Sequence, residues 1–259
     1  MKRREALLAA PLLLGPGFAA AAEAPPGTAP AAQTKTLRYA FLVAETSFDP
    51  VQVIDLYSRI VLAHMLEGLY RFDYLARPAK VVPHTATGMP EVTDEFRTWT
   101  VRIRPGIFFT DDPAFKSKPR ELVADDYVYS WKRFFDPANR SSSYANFSEE
   151  GALGVDALRD AALKTKRPFD YDHPVEGIRA LDRYTIQFKL ENPRPRFLYT
   201  LASSSLYGAV AREVVEHYGD RIGEHPVGTG AFRLAEWRRS SRMVLERNSA
   251  YRDLRYDGE

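Results

Sequence analysis

The sequence contains no cysteine, which excludes disulfides, thiolate metal ligands and a lipid-modified cysteine. It has almost no surplus charge: 36 Lys and Arg stand against 34 Asp and Glu, a formal net charge of +2 at pH 7. Lys2, Arg3, Arg4 and Glu5 carry that surplus, so the rest of the chain is close to neutral. No basic stripe argues for nucleic acid. No apolar run is long enough to span a bilayer; the longest, residues 6–14, is far shorter than a membrane helix.

Other signatures are missing too. His64, His84, His173, His217 and His225 are scattered without H-x-x-x-H spacing, so neither a metal site nor a cofactor is expected. Ser203-Ser204-Ser205 has no G-x-S-x-G around it and reads as a polar loop, not a nucleophile. HPVGTGAFRLAEW, residues 225–237, has neither the glycine spacing nor the trailing helix of a nucleotide loop. Its glycines are expected to supply positive φ for a tight turn into a strand at Phe232. The chain is therefore not expected to be an enzyme.

What is present supports a globular protein. Of 259 residues, 45% are hydrophobic and 12% aromatic, enough for one large domain or two modest ones. Residues 1–22 read as a secretory signal: a basic start, a short apolar run, and small residues before a cut after Ala22. Arg3-Arg4 partly matches a twin-arginine export signal. Residues 23–35 are rich in Pro and Ala and read as a flexible leader. An exported chain without an anchor is expected in a periplasm.

Periodicity outlines the remaining elements. TLRYAFLV, residues 36–43, reads as a strand. Apolar residues recur at helical spacing over residues 51–69, ending near Gly68. RTWTVRIR, residues 97–104, alternates like a strand and is followed by a Pro105-Gly106 turn. DDYVYSWKRFF, residues 125–135, is an amphipathic helix with two acids in its first turn and Asp136-Pro137 as its stop. A further helix is expected over residues 156–166, a strand-turn-strand over 179–190, and short helices at 197–201 and 211–218. Strands follow at Phe232-Arg233-Leu234 and over residues 243–246. Trp99, Trp131 and Trp237 fall on apolar faces and are expected to pack.

The order of several motifs identifies a family. Ser47-Phe48-Asp49-Pro50, Glu67-Gly68-Leu69, the WTVRIRPG run from Trp99, the ADDYVYSW run from Ala124, Phe135-Asp136-Pro137, Val227-Gly228-Thr229-Gly230-Ala231-Phe232 and Glu246-Arg247-Asn248 together resemble the family 5 extracellular solute-binding proteins, and within them the oligopeptide receptors of ABC importers. The chain departs from the family pattern after Phe109, where Thr110-Asp111-Asp112-Pro113 leads into a basic excursion, and around Tyr251. The resemblance implies an α/β fold of the type II periplasmic-binding-protein kind, with mixed sheets flanked by helices. It implies a discontinuous lobe I (residues 36–56 and 180–259) and a smaller lobe II (residues 57–179). Members of the family usually run to about twice this length, so the chain reads as an N-terminal half whose C-terminal lobe is missing.

The same resemblance implies a monomeric receptor with a peptide ligand and a membrane permease as partners. It places backbone contacts to the peptide at Ala44 and Glu45 and a ligand-side aromatic at Tyr144. Weak or absent peptide binding is expected of the half-chain, because closure over a ligand needs both lobes. A non-peptide cargo such as a nickel complex, heme or an oligosaccharide, or a remnant that only touches the permease, are alternatives; an exported hydrolase is the least supported.

Overall fold

The computed structural model describes residues 35–252. The expected signal at 1–22, and the leader up to residue 34, lie outside the described residues, as do residues 253–259. Residues 35–40 contain no helix or strand. The expected strand over 36–43 is not formed: no strand is assigned there, and Leu42 and Val43 are 92% and 60% exposed. Strand preference in Tyr, Phe and Val is realised only when a neighbouring strand offers a ladder, and no sheet among the described residues includes this segment.

Beyond Phe41 the first helix, α1 (Leu56–Met65), is shorter than the apolar pattern suggested. Asp55 caps it by accepting the Ser58 N–H at 2.7 Å. Val51 and Val53 are buried but lie in a turn in which the N–H groups of Gln52 and Val53 both donate to the Asp49 carbonyl, at 2.9 and 3.2 Å. The periodicity there recorded burial, not helix. Next comes an antiparallel hairpin, β1 (Tyr70–Asp73) and β2 (Lys80–Pro83), that no sequence pattern announced.

The main sheet is antiparallel, in the order β3 (Glu91–Thr93), β4 (Thr98–Arg102), β6 (Thr185–Lys189), β5 (Ile178–Asp182). Register places Trp99 opposite Phe188 and Val101 opposite Ile186, so the alternating apolar residues meet on one face. α2 (Ala124–Phe135) lies on that face. The Trp131 ring sits 4.9 Å from Phe188 and 5.1 Å from both Phe147 and Tyr207, which makes it the centre of the aromatic core. Asp126, in the first turn of α2, accepts the Val123 N–H at 2.8 Å and closes the helix start. The lobe boundary expected at residue 180 falls inside β5, and β6 beyond it pairs with β4 before it.

Short helices fill the remainder: α3 (Tyr144–Glu149), α4 (Val155–Thr165), α5 (Phe197–Thr200), α6 (Ser204–Tyr207) and α7 (Arg212–Tyr218). The described chain ends in the hairpin β7 (Phe232–Arg238) and β8 (Arg242–Arg247), whose register shifts between Leu234 and Glu236.

Candidate functional site

The site is assembled by a buried ion pair. Arg133, on α2, donates from its two terminal guanidinium nitrogens to the two oxygens of Asp49 at 2.8 Å each. Both side chains are essentially inaccessible, at 3% and 1% exposure. Such a pair is tolerated inside a protein only when its geometry is this complete. It ties Asp49 and the turn around it to the C-terminal end of α2.

The loop just before it carries Ala44 and Glu45. Ala44 is exposed, and neither its N–H nor its carbonyl is hydrogen-bonded among the described residues. Glu45 is buried, and its Oε1 accepts the Trp237 indole N–H at 2.5 Å and the Ser240 N–H at 3.0 Å. Burial alone would raise the Glu45 carboxyl; these hydrogen bonds and the Arg239 charge outweigh it and hold the group below its usual range. Thr46 then ties the loop to α1, its N–H reaching Asp55 at 3.2 Å and Ser58 at 2.9 Å. Trp237 packs as expected, tilted over Phe48 at 4.7 Å, and its indole also fastens this loop.

Tyr144 opens α3. Its hydroxyl donates to Asp156 at 2.7 Å, and the Arg159 guanidinium lies 4.0 Å from its ring centre. The bond to Asp156, with burial, raises its phenol pKa, so the hydroxyl remains a donor.

The structure does not join Ala44, Glu45 and Tyr144 by any direct hydrogen bond or ring contact among the described residues. Gln52 and Ile54 face Ala138, Asn139, Arg140 and Ser142 across an open groove of about 390 Å³. Ser142 stands two residues before Tyr144, whereas Ala44 and Glu45 are not among the residues that line the groove. None of these lining residues was singled out by the sequence. The polar run Arg140-Ser141-Ser142-Ser143 after Asp136-Pro137 was its only visible signal.

A second polar cluster lies around Glu67, where the glycine loop is explained. The Glu67 carboxylate accepts from Thr229 Oγ1 at 2.9 Å, Tyr251 Oη at 3.0 Å, His84 Nε2 at 2.8 Å and both terminal nitrogens of Arg252 at 2.7 Å. Burial alone would raise this carboxyl, but the His84 and Arg252 hydrogen bonds and charges bring it down to about 2. A carboxylate offers about four lone-pair positions. Five donors from the chain itself leave no capacity for a ligand, so this is a structural hub.

Gly228 and Gly230 do not adopt the positive φ expected of them. Their role is close approach instead. The Gly230 N–H donates to the Met65 carbonyl at 2.8 Å, and an added Cβ would lie 2.6 Å from the His64 carbonyl oxygen. At Gly228 the Cβ would run into the Met65 carbonyl oxygen. The loop therefore lies backbone against backbone on the end of α1, and Asn248 closes it by donating to the Gly230 carbonyl at 2.9 Å.

Mixed α/β layers with these antiparallel sheets are the partial fold of a type II periplasmic binding protein of the peptide-binding class. The profile described as bacterial extracellular solute-binding proteins, family 5 Middle, matches residues 80–258, and the chain belongs to that family. The periplasmic oligopeptide-binding protein OppA of Salmonella typhimurium is 30% identical, covering 80% of this chain and 35% of its own. Di/tripeptide-binding protein 2 of Pseudomonas aeruginosa is 30% identical over 97% of this chain and 43% of its own. The structure of Haemophilus influenzae OppA in complex with RPPGFSPFR superposes with a TM-score of 0.64 at 28% identity, covering 80% of this chain and 37% of that one. The chain thus spans between a third and a half of the length of these relatives. The relatives are solute-binding proteins and not enzymes. No helix among the described residues is long and apolar enough to cross a membrane.

Proposed function

We propose that this chain contributes one wall of a periplasmic peptide receptor that serves an ABC importer, working as a monomer that presents its ligand to a membrane permease. The observation that carries the reading is the open groove between residues 52–54 and 138–142, which ends two residues before Tyr144. Peptides of varied sequence are recognised through main-chain hydrogen bonds and roomy polar pockets; the Ala44 backbone has groups free for the first, and the groove, lined by Gln52, Asn139, Arg140 and Ser142, offers the second. The names of the relatives, oligopeptide-binding and di/tripeptide-binding, point to the same cargo.

In this reading Ala44 and Glu45 pair with the ligand through their backbones, Tyr144 borders it, and the Glu45 carboxylate holds the loop in place. The two-lobe division belongs to the same proposal, and since the chain spans less than half the length of these relatives, the affinity expected of it alone is weak. The test is amide NMR of the full chain titrated with trialanine. Shifts concentrated at Ala44, Glu45 and Tyr144 are expected. No shifts at these positions at millimolar peptide would overturn the reading.

A further inference from the structure

Arg140 stands apart from the other charged groups around the groove. It caps the short turn Pro137–Asn139 after α2, in left-handed backbone at φ 49°, and lines the groove opposite Gln52 and Ile54. It is the one charged residue among those lining it. The acids nearby in the chain are already engaged. Asp49 is held by Arg133, Asp55 by Ser58 and Thr46, and Asp136 by the Ala138 N–H and the Tyr171 hydroxyl. Among the described residues Arg140 itself has no ion pair. Gln52 and Ser142 add an amide and a hydroxyl with no partner among the described residues.

We infer that Arg140 is a carboxylate anchor, and that the groove takes the carboxylate of its ligand against the Arg140 guanidinium, with Ser142 and Gln52 as further donors. The physical reason is local: the one charged side chain that lines the groove is a cation with no ion pair among the described residues, which favours an anion there. A planar guanidinium matches the two oxygens of a carboxylate. The exposed setting keeps the effect modest and salt-sensitive. That the carboxylate belongs to a peptide rests on the function proposed above; the anchor itself does not.

The test uses the full chain, followed by NMR at the Arg140 side-chain N–H and the Gln52 side-chain amide, with four probes. These are trialanine, trialanine amide, Ala-Glu-Ala amide and N-acetylalanine. Trialanine is expected to shift both signals and to bind about five-fold more tightly than its amide at low salt. Arg140→Gln removes that preference without altering the fold, and Arg140→Lys restores part of it. Ala-Glu-Ala amide behaving like trialanine assigns the anchor to any carboxylate; behaving like trialanine amide assigns it to the C-terminus. Peptides that shift Ala44 and Tyr144 with no preference for the acid would overturn the anchor and leave the receptor reading standing. Shifts from N-acetylalanine that vanish in Arg140→Gln, with no peptide binding, would do the reverse. No response to any probe overturns both.

Discussion

Arg133 and Asp49, separated by 84 residues in sequence, form a two-pronged ion pair at 2.8 Å with both groups out of water. Asp49→Ala leaves the guanidinium buried without its counter-charge and is expected to cost about 3–5 kcal/mol. The double change Asp49→Leu with Arg133→Met should be less destabilising than that, because no charge is left stranded. Urea unfolding of the single and double variants measures both. A single variant within 1 kcal/mol of the parent would mean that the pair does not hold the groove walls together.

Glu67 gives stability a pH dependence. Its folded pKa of about 2 lies below the ordinary value of 4.5, so its contribution is complete above about pH 4.5 and is lost as pH falls toward 2. Moving one carboxyl that far corresponds to about 3 kcal/mol. Glu67→Gln should lower stability at neutral pH and flatten the acid limb between those values. An acid limb unchanged by the substitution would place the pH sensitivity elsewhere.

Glycine substitutions separate two reasons for glycine. Gly106 has φ +79° and open space around it, so Gly106→Ala should cost only the left-handed backbone penalty, about 1 kcal/mol. Gly228→Ala and Gly230→Ala meet backbone and should cost about 2–3 kcal/mol or more. Thermal melts of the three variants check the order. Equal losses at all three would argue against the close packing on α1.

The Glu45 latch can be read optically. Glu45→Ala frees the Trp237 indole and the Ser240 N–H, and Trp237 emission should move to the red with a stability loss of about 2 kcal/mol. Trp237→Phe in the same background assigns the signal. Unshifted emission would mean that packing on Phe48 alone holds the ring.

Much of the scaffold was legible beforehand because it is written in local patterns. The 3.6-residue repeat, the acids of the first turn and Asp136-Pro137 gave α2 almost to the residue. Alternation from Tyr184 to Leu190 gave β6. The same logic failed at residues 36–43, where apolar alternation has no strand to pair with. It failed again at residues 51–53, where burial comes from a turn and not from a helix. Of the site, Ala44, Glu45 and Tyr144 were named from resemblance alone; Arg140 and Gln52 were not named at all.

The sequence by itself determined α2 and β6 with their apolar faces, since each is set by neighbours within a few residues, and the family, which is carried by the order of short motifs along the chain. Only the tertiary structure decided that Glu67 meets Arg252 across 185 residues, that Gly228 and Gly230 make room for the end of α1, and that Arg140 shares a groove with Gln52 and has no ion pair among the described residues. Such pairings depend on where distant backbones come to rest, which periodicity along the chain does not encode.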